Sequence, residues 1–518
     1  MNASFPTSPE TALSASSIES VLQKHADIAP DDIWLTSPEI ATQFTWQDSL
    51  QRARDVACHI QGAGIAPGES VAIAAPNGVA ACYAFLGVVF GGFRATPLNL
   101  VAGKNTLRFV LEHSKSRLIL CADDSKHLIS DVVSELENPP LIISMDTNDS
   151  PRWSDTGITP VNPAELSRPD ANSIALLMYT SGTTGVPKGV LLSHGNLLAA
   201  GTNVQHAHKL NTTDTGLCIL PIYHINGLSV TVMGTLISQS QLIMPHRFSA
   251  SQFWGLMHAH DCSWFSGVPT QFSYLLNDRS TPTLNKARLR FARSASAPLS
   301  PTVQKDFENR FGIPIIETMG LTETGAQILS NPLPPATRKI GSPGIAFGNE
   351  VAIWDANNTP LPANVQGEIM IRGDNVMQGY LDRPEETEKT LTHDGWLHTG
   401  DLGHMDEDGY IFVTGRIKEL IIKGGENIAP REIDEALMAH EAVLEAAAFP
   451  VNCDDYGQRV EACVTLKSGM SETAENLRIF CTKQVGAFKT PDKIHFMDEL
   501  PKGPSGKVQR LKLIELLT

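Results

Sequence analysis

Between Phe44 and about Leu242, short apolar runs alternate with stretches whose apolar positions recur every three or four residues. The spacing predicts a helix near Asp48–Gln61, a strand over Ser70–Ala75, a helix over Val79–Phe90 and a strand over Leu118–Cys121. Strands and helices in such alternation form an α/β unit around a largely parallel sheet. Gly62, Gly64 and Gly68 follow a helix and precede a strand, the reverse of the dinucleotide-binding order, and read as a turn. A second α/β stretch begins at Phe253 and takes in the apolar segments Trp264–Val268 and Ile313–Ile316. Beyond Asn331, Pro and Gly clusters separate short alternating runs at Glu350–Trp354, Glu368–Arg372 and Tyr410–Val413, the pattern of an antiparallel β subdomain.

The C-terminal stretch reads as a unit of its own. A polar turn, Arg416 to Glu419, gives way to an apolar strand at Leu420-Ile421-Ile422 and a glycine pair, Gly424-Gly425. Pro430 then opens a helix over Arg431–His440, at the first-turn position where its missing N–H costs nothing. A boundary at Arg416–Lys418 divides the chain into residues 1–416, with 1–17 a disordered lead, and residues 417–518. The fold class expected is α/β: a large N-terminal domain of α/β subdomains plus a β subdomain, followed by a small α+β C-terminal domain.

Length changes this picture little, because 518 residues are too many for one core. A composition of 42% hydrophobic and 19% charged residues is that of a globular chain. The formal net charge of −16 argues against a nucleic-acid or anionic-membrane surface, and no apolar stretch reaches the ~18 residues of a membrane span. An anionic substrate must therefore meet local positive groups; Lys483, Lys489, Lys493, Lys502, Lys507 and Arg510 form a late basic edge. Eight cysteines without a CxxC pair, and a Ser/Thr/Pro-rich start with no signal-like region, fit a reduced, cytoplasmic protein. The pairs His206/His208 and His258/His260 read as solvated helix faces rather than a transition-metal site.

The strongest chemical signal is Thr180-Ser181-Gly182-Thr183-Thr184-Gly185-Val186-Pro187-Lys188-Gly189, between apolar runs Ile174–Met178 and Val190–Leu192. Glycines let the backbone turn its N–H groups toward an anion, hydroxyls add donors and Lys188 adds charge, a combination that suits the phosphates of ATP. Pro187 and Gly189 stand where a Walker A loop needs Gly and Ser or Thr, and the flanks join strand to strand rather than strand to helix.

Four further motifs follow in order: Met319-Gly320-Leu321-Thr322-Glu323-Thr324, Trp396-Leu397-His398-Thr399-Gly400-Asp401, Gly415-Arg416-Ile417-Lys418 and Pro504-Ser505-Gly506-Lys507-Val508-Gln509-Arg510. With them the chain resembles the AMP-forming acyl-CoA synthetases, adenylate-forming ligases related to luciferases and peptide-synthetase adenylation domains, from about Phe44 to Arg510. The resemblance implies ATP, coenzyme A and Mg²⁺ as cofactors and a two-step reaction through an acyl-adenylate. It implies that Thr180, Ser181, Gly182, Thr183, Thr184, Gly185 and Lys188 hold the departing pyrophosphate, that Thr322 contacts phosphate, and that Glu323 holds Mg²⁺, a hard cation suited to carboxylate oxygens. Asp401 and Arg416 become ribose contacts, and Met319 covers adenine where the family usually has an aromatic residue. Lys507 bridges carboxylate and α-phosphate during adenylation, lowering their repulsion. Lys418 is the hinge about which the mobile smaller domain turns between half-reactions, bringing Gly424 and Gly425 to the pantetheine tunnel.

His224, in Pro221-Ile222-Tyr223-His224-Ile225-Asn226-Gly227, stands where the resemblance implies a gate or wall residue of the acid pocket, with Asn226, Ser294 and Ser296 beside it. Arg247 to Trp254 and Arg293-Ser294-Ala295-Ser296 look most like the oxalate and small-acid branch, which carries a second histidine where Asn226 stands. A short acid with a second polar or anionic group, such as malonate or sulfoacetate, is therefore expected. The alternatives are a ligase for medium-chain or aromatic acids, an enzyme loading a carrier protein in trans, and an inactive scaffold. The last has no need of Lys188, Glu323, Asp401, Arg416 and Lys507 together.

Overall fold

The computed structural model describes residues 16–180, 187–278, 285, 287–453, 455–502 and 508–517. Two large sheets form the centre of the N-terminal part. The seven-stranded sheet runs, in order, Gly379–Tyr380, Lys188–Ser193, Ile174–Thr180, Arg94–Pro97, Ser70–Ala74, Leu118–Ala122 and Leu141–Met145. Its last five strands are parallel, and the first two run antiparallel to their neighbours. Ser70–Ala74 and Leu118–Ala122 are buried along their whole length, which is why they appear in the sequence as unbroken apolar runs.

The nine-stranded sheet runs Ile345–Ala346, Ala326–Ser330, Ile315–Leu321, Phe291–Ser294, Trp264–Gly267, Thr215–Leu217, Gln241–Ile243, Ile33–Ser37 and Thr42–Thr45. The six strands from Ile315–Leu321 to Ile33–Ser37 are parallel, and the outer ones are antiparallel to their neighbours. One apolar core joins the two sheets through the helices Trp46–Gly62, Val79–Phe90 and His194–His208. Every residue of Val79–Phe90 is buried, as a helix apolar on all faces must be. An N-terminal helix, Ile18–Ile28, packs on this core behind a Ser17 cap; neither it nor the following hairpin was part of the periodicity traced from Phe44.

Glu350–Trp354, Gly367–Arg372, Leu397–Met405 and Ile411–Arg416 make the expected antiparallel sheet. From Ile421 onward a five-stranded sheet (Glu426–Ile428, Ile421–Lys423, Gly457–Leu466, Val443–Cys453 and Lys493–Phe496) carries apolar clusters drawn from its own segment alone. Pro430 occupies the first turn of the helix Pro430–Met438. Among the described residues no helix is long and apolar enough to cross a membrane. All eight cysteines are free, and all but Cys453 are buried.

The solvated-face reading of the histidine pairs fails at His208. It is fully buried, its ring lying edge-on to Phe291 at 5.0 Å, and burial together with the charge of Arg293 pushes its pKa down to about 3. The helix His194–His208 lies between the sheets, so its last turn faces protein rather than water.

Candidate active site

Thr180, Ser294 and Thr322 lie at or just past the C-terminal ends of strands with parallel neighbours, where ligands of open α/β sheets bind. Thr180 ends one strand and Lys188 begins the next, the two residues facing each other across the antiparallel pair. Ser181, Gly182, Thr183, Thr184 and Gly185 lie outside the described residues. The short strand Gly379–Tyr380 pairs with Lys188–Ser193, with Tyr380 opposite Val190. This return of the chain puts the Tyr380 ring 4.8 Å below the Lys188 ammonium, while its hydroxyl donates to Glu323 Oε1 at 2.9 Å. Burial, and then the Glu323 carboxylate, raise the Tyr380 phenol well above its ordinary pKa, so it stays a donor. Lys188 also forms an ion pair with Glu386, whose carboxyl is held below its usual range by Lys188 and Arg383. Lys188 and Glu323, predicted from separate motifs, thus meet through Tyr380.

Met319, half-buried, and Gly320 precede Glu323 on the strand Ile315–Leu321. A Cβ on Gly320 would lie 1.6 Å from the Ala326 carbonyl oxygen, so any side chain there would break the tight pairing with Ala326–Ser330. Thr322 and Glu323 then turn through the one-turn helix Thr322–Thr324, and the Met377 N–H donates to the Glu323 carbonyl at 2.8 Å. No three His, Cys, Asp or Glu residues converge as a metal cage among the described residues. The half-buried Glu323 suits Mg²⁺ bound the usual way, through one carboxylate and substrate phosphates.

Asp401 and Arg416 face each other across neighbouring strands, Arg416 Nε donating to Asp401 Oδ1 at 2.7 Å. Asp401 is buried, and its charge, followed by those of Glu419 and Glu323, raises the Arg416 pKa. The pair therefore lies within electrostatic range of Glu323. Glu368 steadies the preceding turn, accepting from the Gly400 N–H at 2.8 Å and bonding His398 at 2.8 Å. Lys418 sits exposed in the one-turn helix Ile417–Glu419. Gly424 and Gly425, at φ 60° and 86°, form the two-residue turn between Ile421–Lys423 and Glu426–Ile428. Positive φ at both central residues is the requirement of a type I′ hairpin, which gives the glycine pair a backbone reason independent of any ligand. Lys507 lies outside the described residues.

On the acid side, His224 is half-buried two residues before Asn226, where an eight-residue π-helix, Asn226–Met233, begins. Such wider turns are frequent at functional sites. The Asn226 amide Nδ2 donates to Ser296 Oγ at 3.2 Å, and Ser296 is held at φ 72°. Ser294 is fully buried, its hydroxyl without a hydrogen-bond partner among the described residues, on the strand face opposite Arg293. Directly across the sheet from Ser294 stands Glu317.

Glu317 accepts from the Leu299 N–H at 3.1 Å, but burial raises its pKa to about 7, from 4.5. A raised carboxyl is bound by more protons in the folded than in the unfolded state, so its contribution is full below pH ~4.5 and declines as pH rises toward 7. Glu317→Gln should gain on the wild type in melting temperature as pH is raised from about 5 to 8. A constant difference between the two proteins across that window would contradict the burial-driven shift.

The family model for the AMP-binding enzyme matches residues 22–381, and that for the AMP-binding enzyme C-terminal domain matches residues 432–507. The chain belongs to the AMP-binding enzyme family. Among its relatives, the sulfoacetate–CoA ligase of Cupriavidus necator is 45% identical over 94% of this chain and 95% of the relative. The oxalate–CoA ligase of Arabidopsis thaliana is 36% identical over 87% and 89%. The ATP-bound structure of MatB from Rhodopseudomonas palustris superimposes with a TM-score of 0.89 at 28% identity, covering 96% of this chain and 99% of that one.

Within this AMP-binding enzyme, sequence reasoning missed Tyr380 and Glu386. Their link to Lys188 is made by strand pairing nearly two hundred residues apart in sequence, and no local pattern carries it. The burial of Arg293, on the fully buried strand Phe291–Ser294, was missed too.

Proposed function

We propose that this AMP-forming acid–CoA ligase acts on a short acid bearing a second anionic or polar group, sulfoacetate foremost, with malonate and oxalate-like acids in the same class. The observation that carries the reading is the polar acid side: Asn226 and Ser296, bonded to each other, are backed by the buried guanidinium of Arg293 where a fatty or aromatic acid would need an apolar wall. The likeness to the sulfoacetate–CoA and oxalate–CoA ligases supports it.

In the first half-reaction the substrate carboxylate attacks the α-phosphorus of ATP and pyrophosphate leaves. The loop from Thr180 to Lys188 and Thr322 hold the leaving group, Asp401 and Arg416 the ribose, and Met319 the adenine. Lys507 bridges the reacting anions, and Glu323 would hold Mg²⁺, which would supply charge to offset that of the phosphates. In the second, the CoA thiol attacks the acyl carbonyl and AMP leaves, after the domain from residue 417 turns about Lys418 and carries Gly424 and Gly425 to the tunnel. His224 walls the acid pocket, Ser294 lies behind it, and the enzyme works in the cytoplasm without nucleic acid.

The test is a comparison of kcat/KM for CoA-dependent AMP release with sulfoacetate, malonate, oxalate, hexanoate and benzoate. At least one of the three dianions should exceed both monoanions by about 10²-fold or more, since polar sites reject analogues that leave their groups unpaired by up to about 10⁴- to 10⁵-fold. A higher value for hexanoate or benzoate would overturn the reading.

A further inference from the structure

Arg293 is 1% exposed, and among the described residues no carboxylate pairs with it. Its guanidinium is held by neutral groups: Nη1 donates to Asn226 Oδ1 and to Ser266 Oγ, both at 3.0 Å, and Nε reaches Gln327 Oε1 at 3.4 Å. Burial alone lowers its pKa, to about 9, so it remains a cation at neutral pH. The half-buried Arg510, by contrast, is matched by Asp434 and Glu419. A buried charge without a counter-ion is costly, and an anion arriving nearby recovers part of that cost.

The position of Arg293 gives the missing anion a direction. A guanidinium only donates, so it obliges the Asn226 carbonyl to face it, which turns the Asn226 amide N–H group the other way, onto Ser296. Ser266 adds a second donor to the same carbonyl at 3.0 Å. The order Arg293, Asn226, Ser296 therefore runs from a buried cation to a half-exposed hydroxyl, and each bond polarises the next in the same sense. Its outer end is a set of strengthened donors at positive potential.

We infer that Arg293 is the specificity-determining charge of the acid site, selecting substrates whose second group is anionic by acting through Asn226 and Ser296 without touching the substrate. This rests on the proposal that Asn226 and Ser296 line the acid pocket. It makes the identity of the second group a matter of charge rather than of shape: a sulfonate or carboxylate completes the buried cation, and a neutral group of the same size does not.

The test uses acid pairs of similar shape and different charge, sulfoacetate against methylsulfonylacetate and malonate against malonamate, in the full-length wild type, Arg293→Lys, Arg293→Met and Asn226→Asp. The wild type should favour each dianion. In Arg293→Met the dianion-to-monoanion ratio of kcat/KM should fall on the order of 10- to 100-fold, the loss appearing in KM for the dianion. Arg293→Lys should keep part of the ratio, and Asn226→Asp, which gives the intact guanidinium a carboxylate of its own, should lose it. A wild-type preference that survives both Arg293→Met and Asn226→Asp, or a loss confined to kcat, overturns the inference and leaves the substrate reading standing. A wild type that favours the monoanions overturns both. Should Arg293→Met fail to fold, the ratio in Arg293→Lys and Asn226→Asp decides.

Discussion

Lys507→Ala is expected to abolish acyl-adenylate formation, by on the order of 10²-fold or more, while sparing thioester formation from a pre-made acyl-adenylate. In its proposed role the lysine is needed only when two anions must be brought together, and the second half-reaction has no such step. Its neighbours in the chain are firmly held. The Gln509 N–H donates to the Pro501 carbonyl at 2.8 Å, Lys502 pairs with Val508, and Arg510 donates to the Ala448 carbonyl at 2.7 Å and pairs with Asp434 and Glu419. The described residues on either side, Lys502 and Val508 to Arg510, are thus anchored on the C-terminal sheet. Rapid-quench measurement of the two half-reactions checks this; equal loss in both would remove Lys507 from its role.

Glu323→Gln should lower adenylation by a further factor of about 10² to 10³, since it removes the carboxylate proposed to hold Mg²⁺ against the phosphates while keeping the side chain's size. Tyr380→Phe is the more discriminating variant. It deletes the 2.9 Å hydrogen bond to Glu323 Oε1 and leaves the ring beneath Lys188. A loss of about tenfold is expected, expressed as a higher Mg²⁺ requirement, because outer partners of metal-holding groups typically act on this scale. Mg²⁺ titration at saturating ATP reads it. An unchanged Mg²⁺ requirement with lowered kcat would mean that Tyr380 serves Lys188 and not Glu323.

Local chemistry was legible in the sequence, and pairing over long distances was not. Val79–Phe90 was delimited to the residue because an unbroken apolar helix between a glycine and a glycine pair has no competing pattern. The strand-to-strand setting of the phosphate loop followed from its apolar flanks and is found in the pairing of Ile174–Thr180 with Lys188–Ser193. Ile18–Ile28 carried a readable signal, Ile18, Val21, Leu22 and Ala26 on one face behind a Ser17 cap, but the strand Ile33–Ser37 takes its place only by pairing with Gln241–Ile243. Nothing near Ile33 specifies that partner. Tyr380 is the same case, being brought to Lys188 by a two-residue strand. Arg293 and His208 were hidden for another reason: charged and titratable residues are expected at the surface, and only packing between the sheets reveals that these two are not.

The central claim, adenylation of a short dianionic acid followed by transfer to CoA, is tested most directly by omitting CoA. Enzyme, Mg²⁺ and ATP are mixed with equimolar sulfoacetate, malonate, oxalate, hexanoate and benzoate, and the adenylates held on the enzyme are identified by mass spectrometry before and after CoA is added. The adenylate of a dianionic acid, sulfoacetate foremost, should dominate and be converted to its CoA thioester. Accumulation of hexanoyl- or benzoyl-adenylate in its place would contradict it.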